Sequence, residues 1–407
     1  MKILVLNAGS SSQKSGLYEL TDDTLSDPQP PLWEAHVDWT QQHVAVKVRT
    51  AHGAELEETL PADDRPAIIA QLLHTLWQGQ TKVIETLTEI DVVGHRVVHG
   101  GRAYLASALV TDEVKAAIAR LSVLAPVHNP ANLEGMEAVE RVLPSTPQVA
   151  VFDTAFHAHM PLEAAAYPIP YEWLAEDVRR YGFHGISHQY CTHRAAQLLH
   201  TDLTALKLII CHLGNGCSLA AIRDGHSIDT TMGFTPLDGL MMGSRSGAVD
   251  PGILIYLLRE HGYTGDQLDQ MLQQNSGLKG ISGVSSDLRQ IQAAIAIGND
   301  RAKLAFAMYI HRLRSHIGAM LASLGGLDAL VFTAGVGENS AAVRAAACEA
   351  FSFLGLKLDL EKNQQSPVDQ DIATSDSAVR VLVIHTQEDW AIAQECWKLV
   401  RQEGIGS

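Results

Sequence analysis

The chain opens on a continuous apolar run within residues 2–7 (KILVLN) that stops at Ala8-Gly9-Ser10-Ser11-Ser12 and resumes through residues 14–20. A short apolar run bounded by small polar residues reads as a buried strand, and the second run makes a strand, polar loop and strand. Roughly half the chain later, residues 206–211 (LKLIIC) lead into His212-Leu213-Gly214-Asn215-Gly216-Cys217-Ser218, and residues 219–223 turn at Asp224-Gly225. The echo predicts two similarly built halves. Residues 92–98, 149–152, 330–333 and 379–384 are further buried-strand candidates, each ending in polar residues or glycine. Apolar residues returning every three or four positions predict helices over 66–77, 189–199, 301–324 and 341–351. Strands alternating with helices make the fold class α/β. Segments 21–33 and 361–377, polar and in part rich in Pro and Asp, read as exposed loops without chemistry.

Length and charge narrow the function. A chain of 407 residues exceeds what one core organises, so two domains with an intervening cleft are expected. A formal net charge of -16 disfavours nucleic acid and anionic membrane surfaces as partners, and an anionic ligand would need local positive charge. Five cysteines without a CxxC pair fit a reducing cytoplasm, and the N-terminus lacks the apolar length of a secretory signal.

The candidate chemistry sits at strand ends. The loops at residues 8–12 and 214–218 place small or hydroxyl-bearing residues where backbone N–H groups can meet phosphate oxygens, and Lys14 adds a cation. Gly335-Val336-Gly337-Glu338-Asn339-Ser340 reads as a third such loop opening a helix. There is no GxxxxGK[ST] motif, and Gly214-Asn215-Gly216 lacks the third glycine of a dinucleotide fingerprint, so Walker and dehydrogenase readings are weak. Arg96 and Arg245, in Gly-rich surroundings, suit bidentate capture of carboxylate or phosphoryl oxygens. His184 and His188 are four apart, but no HExxH is present and Gly185 argues against a helix across the pair, with Ser187 as N-cap of a helix from 189. His128 stands between two prolines, Asp153 at the end of strand 149–152, and Glu388 after strand 379–384. A magnesium ion bound mainly through a nucleotide needs few protein oxygens, which Asn7 and Glu388 supply.

In order along the chain, LNAGSSSQK, GHRVVHGG, LAPVHNP, VFDTAFH, RRYGFHGISH, HLGNGCS, FTPLDGLMMGSRSGAVDPG and FTAGVGENS resemble the acetate kinase family of acetate and propionate kinases, in the actin, Hsp70 and sugar-kinase superfamily. The resemblance implies a two-domain actin-like (ribonuclease H-like) duplicated α/β fold with an interdomain cleft. Its first domain would be residues 1–153 with 385–407, on the acceptor and metal side, and its nucleotide-binding domain residues 154–384. It implies that Asn7 and Glu388 hold Mg2+, with Mn2+ an alternative, and that Lys14 assists the ATP phosphates. Arg96 and Arg245 would bind the carboxylate or the transferring group, and His184 would stabilise the transition state beside Arg245. His128 would lie near the phosphoryl group, with Asp153 the acidic catalytic residue. His212, Leu213, Gly214, Asn215 and Gly216, with Asp287, Leu288 and Arg289 and with Gly335 to Asn339, would contact the nucleotide. Val98, Phe183 and Pro236 would wall the acceptor's alkyl end. The likeness also implies a homodimer. Gln13 and Ser15 depart from the apolar or aromatic residues common in relatives, and Ala248 from an Asp. A propionate-preferring enzyme and a nucleotide-operated binding protein of the same fold are the alternative readings.

Overall fold

The computed structural model describes residues 1–9, 12–25, 27–39, 43–61, 64–126 and 128–404, so Ser10 and Ser11 of the first loop and Val127 lie outside the described residues. The chain divides into two compact units, Met1–Phe156 with Gln387–Ser407, and His157–Thr386.

The first unit is built on β1 (Lys2–Ala8), β2 (Ser12–Glu19), β3 (Trp33–Trp39), β4 (His43–Thr50), β5 (Glu55–Pro61), β6 (Val92–Val97), β7 (Ala108–Leu109) and β8 (Gln148–Phe152). They form one sheet in the order β5-β4-β3-β2-β1-β6-β8-β7. Strand β1 runs antiparallel to β2 and parallel to β6, which is parallel to β8. Covered on both faces, β1 buries Ile3, Leu4, Val5 and Leu6 in succession, which is why its sequence shows no alternation. The neighbouring pair Val93 and Gly94 shows the two layers. Val93 joins the core with Ala138 and Val139 of helix Asn129–Val142, whereas a Cβ on Gly94 would come within 2.5 Å of Cys396 Sγ in helix Glu388–Gln402.

Two loop readings fail here. Trp33 does not belong to an exposed loop: it opens β3, is fully buried, and donates Nε1 to Thr75 Oγ1 at 3.1 Å. In the second unit, segment 361–377 contains the end of helix Leu360–Gln364 and an edge strand, with Asn363, Ile372 and Ala373 buried. Both segments carry their few apolar residues among polar ones, too sparsely to show a period.

The second unit is built on β9 (Lys207–Leu213), β10 (Cys217–Arg223), β11 (His226–Thr230), β12 (Ala329–Thr333), β13 (Gln370–Asp371) and β14 (Arg380–Val383). Its sheet order is β11-β10-β9-β12-β14-β13. The order and sense of pairing repeat β3-β2-β1-β6-β8-β7, including an antiparallel strand at the far edge. The internal echo in the sequence is therefore a duplicated sheet, to which the first unit adds β4 and β5.

Candidate active site

In the first unit the parallel strands β1, β6 and β8 deliver polar side chains to their shared C-terminal edge, where open α/β sheets bind ligands. Arg96 on β6 donates Nε (3.1 Å) and Nη2 (2.5 Å) to Asp153 Oδ2, just past β8, with the two side chains 14% and 2% exposed. Asn7 on β1 donates Nδ2 to Asp389 Oδ1 at 2.7 Å and to Glu388 Oε2 at 3.3 Å, and Lys14 faces Asn7 in register on β2. Burial works against the Arg96 charge, but Asp153, Glu388 and Asp389 more than offset it and hold its pKa above the usual guanidinium value. Burial pushes the Asp389 carboxyl up, opposed by the Asn7 hydrogen bond and by Lys14 and Arg96. Asn7, Lys14, Arg96, Asp153, Glu388 and Asp389 thus form one cluster. Its oxygens are of the kind hard cations take. Among the described residues no three His, Cys, Asp or Glu side chains gather into a self-sufficient metal cage, so a cation here would draw its other ligands from nucleotide and water.

Val98 is buried beside this edge, and its N–H donates to Asn132 Oδ1 at 3.3 Å. Asn129 and Asn132, near the start of their helix, tie the turn after β6 to Ala8: Asn129 Oδ1 accepts from His99 N, and Asn132 Nδ2 donates to Ala8 O. His128 stands at the N-cap position of that helix.

The second unit assembles the histidines. His184 takes a left-handed backbone, φ 57° and ψ 27°, and helix Gly185–Leu199 starts directly after it. Gly185 therefore begins the helix rather than preventing it, and Ser187 lies inside it instead of capping one from 189. The turn is made by His184, a residue type that tolerates this region better than most. The helix brings Ser187 Oγ to His212 Nδ1 (2.8 Å) and His188 Nε2 to Ser218 Oγ (2.7 Å). Ser218 Oγ also lies 2.9 Å from His184 Nδ1, and the His184 ring stacks on His212 with centroids 4.1 Å apart. Arg245 closes the group. A Cβ built on Gly216 would lie 3.5 Å from His184 Nε2 and 3.7 Å from Arg245 Nη1, so the imidazole and the guanidinium border one point. Arg245 donates to Pro236 O at 3.3 Å and makes no ion pair among the described residues; burial lowers its pKa. Its loop is held by Leu278 N to Met242 O and Ser246 N to Leu272 O. Phe183 is buried with its carbonyl on His157 Nε2.

The predicted nucleotide segments converge in part. Gly214 N donates to Gly216 O in the β9–β10 turn, and Asn215 O accepts from Gly243 N. A Cβ on Gly243 would meet Asn215 Oδ1 at 2.2 Å and Ser286 O at 3.1 Å, which puts the turn before Asp287 beside Asn215. Asp287 caps helix Leu288–Ala296 and pairs with the exposed Arg289, while Leu288 is buried. Residues 335–339 are not a loop opening a helix: Ala334–Asn339 is itself a short helix, with Ala334 at φ 64°, and Ser340 caps the next helix, Ala341–Glu349. Val336 lies within it. Gly337 sits close to Cys211 O and Phe332, Asn339 Nδ2 returns to Gly335 O, and Glu338 accepts from Thr386 N at 3.0 Å and bonds His385. Burial alone would raise the Glu338 carboxyl, yet His385 and the Thr386 N–H bring it below its ordinary value.

Two residues escaped the sequence reading. Asp389 follows Glu388 and differs from it only in facing Asn7 more closely, which no spacing reveals. Arg344 is 1% exposed, and donates to Gly337 O, Glu338 O, Asn363 O and Asn363 Oδ1. A helix-interior arginine ordinarily reads as surface charge; here the short helix Ala334–Asn339 and Asn363 supply the acceptors.

Two duplicated sheets with Gly-rich turns and cations at their strand ends define a two-domain actin-like α/β protein. The chain belongs to the acetokinase family, whose model matches residues 2–394. It is 66% identical over 403 residues to the acetate kinase of a Cyanothece species, covering 98% of this chain and 99% of that one. It is likewise 66% identical over 405 residues to that of a Nostoc species, covering 99% and 100%. Among solved structures it resembles the acetate kinase of Porphyromonas gingivalis, with a TM-score of 0.90 at 39% identity, covering 98% of this chain and 99% of that one. The propionate kinase of Francisella tularensis gives 0.88 at 38% identity, covering 97% and 98%.

Proposed function

We propose that the chain transfers the γ-phosphoryl group of ATP to acetate, reversibly, giving acetyl phosphate and ADP. The observation that carries the mechanism is the placement of His184 and Arg245 around one point over Gly216, with Arg245 unneutralised by any acid among the described residues. Acetate is an anion at neutral pH, its pKa like the ~4 of Asp and Glu side chains, so no base is required. A carboxylate oxygen attacks the γ phosphorus, the bond to the β–γ bridging oxygen breaks, and ADP leaves with the electron pair. The barrier is electrostatic, with charge spread over three equatorial oxygens. His184 and Arg245 take those oxygens, Arg96 takes the acetate carboxylate and is oriented by Asp153, and Val98, Phe183 and Pro236 limit the acid's length. His128 lies by the phosphoryl group.

The turn at His212 to Gly216, Asp287 to Arg289 and Gly335 to Asn339 cradle the nucleotide, with Lys14 on its phosphates. Asn7 and Glu388 hold Mg2+, or Mn2+ in its place, which when bound neutralises phosphate charge; the oxygen-rich set at the end of β1 supports this reading. On this view the first unit serves acceptor and metal and the second the nucleotide.

No helix among the described residues is long and apolar enough to cross a membrane, and all five cysteines are free and buried, which supports a cytoplasmic setting. A second copy of the chain is the expected partner. Helix Pro251–Glu260 buries none of its residues although it carries Ile253, Ile255, Tyr256 and Leu258, 44–55% exposed and spread around its circumference, and an uncovered apolar helix of this kind marks an interface. Light scattering should give the mass of a dimer, and a monomer would remove this part.

Trapping acyl phosphate as hydroxamate across acids of one to four carbons tests the whole. Product with acetate supports it. Preference for propionate would reassign the acceptor, since one methylene changes affinity by only about 1–3 kcal/mol. ATP binding without product from any acid would leave a nucleotide-operated binding protein.

A further inference from the structure

The hydroxyl of Ser218 hydrogen-bonds two histidines and no other partner among the described residues. Its Oγ lies 2.9 Å from His184 Nδ1 and 2.7 Å from His188 Nε2, and the residue is fully buried. A serine hydroxyl has one proton to give and two lone pairs to receive with. If both ring nitrogens donated, the Ser218 proton would be left without an acceptor in a dry interior. If neither did, lone pairs would face one another. One ring therefore donates to Oγ and the other accepts from it.

His188 decides which. Its second nitrogen, Nδ1, is buried and has no hydrogen-bond partner among the described residues. Were the His188 proton on Nδ1, a buried N–H would be orphaned, and orphaned donors are rarer and costlier than underused acceptors. The His188 proton accordingly sits on Nε2 and is donated to Ser218 Oγ. Ser218 then gives its own proton to His184 Nδ1. His188 is also held neutral, because burial, and then the neighbouring His157 and His212, push its pKa well below 6.5.

We infer that Ser218 and His188 are positioning residues that lock His184 in the tautomer carrying its proton on Nε2, the edge that faces Gly216 and Arg245. This inference deepens the phosphoryl-transfer reading and rests on it only for its consequence. A ring whose Nδ1 is occupied as an acceptor presents a fixed Nε2–H donor toward the point shared with Arg245. His184 then stabilises charge on the phosphoryl oxygens by hydrogen bonding and takes no proton from the acceptor. Proton count is unchanged through the step, as the in-line transfer requires.

Nitrogen-15 spectra of histidine-labelled protein without substrate read the tautomer directly, with the His184 signals identified by their loss in His184→Asn. The expected result is a proton on Nε2 and none on Nδ1 for both His184 and His188. A proton on His184 Nδ1 with a bare Nε2 overturns the inference. Ser218→Ala should convert the His184 signals to a tautomer mixture. It should also lower kcat roughly tenfold, less than losing a charge-stabilising donor outright, with KM for ATP changed by less than about twofold. Ser218→Thr should restore both. If Ser218→Ala does not fold, His188→Gln, whose amide can still donate to Ser218, should keep the wild-type His184 tautomer; a switched tautomer there counts against the relay. Because the spectra need no turnover, a wild-type protein that forms no acyl phosphate would sink the kinase reading and leave the tautomer assignment standing.

Discussion

Arg96 places both Nε and Nη2 on a single carboxylate oxygen of Asp153, and nothing in that geometry leaves Asp153 a proton to carry. The pair is nearly enclosed, so removing Asp153 takes from Arg96 its hydrogen-bonded counter-charge and leaves only the more distant Glu388 and Asp389. Asp153→Ala should cost about 3–5 kcal/mol in urea unfolding. Asp153→Asn should lower turnover at every pH while keeping both limbs of the pH–rate profile; loss of one limb would make Asp153 an acid or base instead of an orienting group.

Arg245 differs from Arg96 in having no acid among the described residues to neutralise it, and burial lowers its pKa. A cation kept in that state costs stability unless it serves an incoming anion. Arg245→Ala should therefore leave the unfolding midpoint unchanged or raised and reduce kcat at least ~10²-fold. Turnover within a few-fold of wild type would remove Arg245 from the mechanism.

How much of this was legible beforehand depends on the length scale of the signal. The strands β1, β6, β9 and β12 announced themselves, because burial on both faces leaves continuous apolar runs, and the echo of residues 2–20 in 206–223 emerged as two sheets of one topology. Strands β3 to β5 show no continuous run because one face is solvated; their mark is alternation, as where Val44, Val46 and Val48 alternate with His43, Lys47 and Arg49, which a reading for continuous apolar runs passes over. At the site, the strand-end residues Asn7, Arg96 and Asp153 were visible through their position after apolar runs. The start of the helix at Gly185 was misplaced because a left-handed His184, not a serine cap, makes the turn. Asp389, Ser218 as a bridge between two rings, and Arg344 depend on contacts between distant segments, for which the sequence holds no local mark.

Two histidines make stability pH-dependent in a defined window. Burial depresses His95 to about 4, against which the Gln148 hydrogen bond acts weakly, and burial likewise depresses His157 to about 4. Between the ordinary value of 6.5 and about 4 the unfolded chain binds these protons and the folded one does not, so stability rises with pH across that interval. The contribution is complete above 6.5 and is lost as pH falls toward 4, by at most ~1.4 kcal/mol per pH unit for each histidine. His95→Gln should flatten the slope of urea midpoint against pH by one proton's worth. An unchanged slope would mean that His95 is charged in the folded state.

Arg344 ties the short helix Ala334–Asn339 to Asn363 through carbonyls alone. Arg344→Met keeps much of the volume but leaves those carbonyls buried and unpaired, at about 1–3 kcal/mol each where water cannot enter. If residues 335–339 cradle the nucleotide, the variant should raise KM for ATP severalfold while KM for acetate stays near its original value. Equal changes in both would separate this helix from the nucleotide.

Gly216 offers the sharpest discrimination between a fold role and a site role. A Cβ there meets no atom closer than 3.5 Å, so Gly216→Ala fits the folded protein without displacing anything. The added methyl would occupy the ground between His184 Nε2 and Arg245 Nη1 that the transferring phosphoryl group is proposed to use. The expected outcome is an unfolding midpoint close to wild type together with a loss of at least ~10²-fold in kcat/KM for ATP, comparable to removing a charge-stabilising donor. Gly247→Ala is the contrasting control, since Gly247 has φ 67° and its Cβ would lie 2.3 Å from the backbone Leu240 O, which should cost stability as well as activity. Full activity in Gly216→Ala would mean that the phosphoryl group passes elsewhere, whatever His184 and Arg245 do.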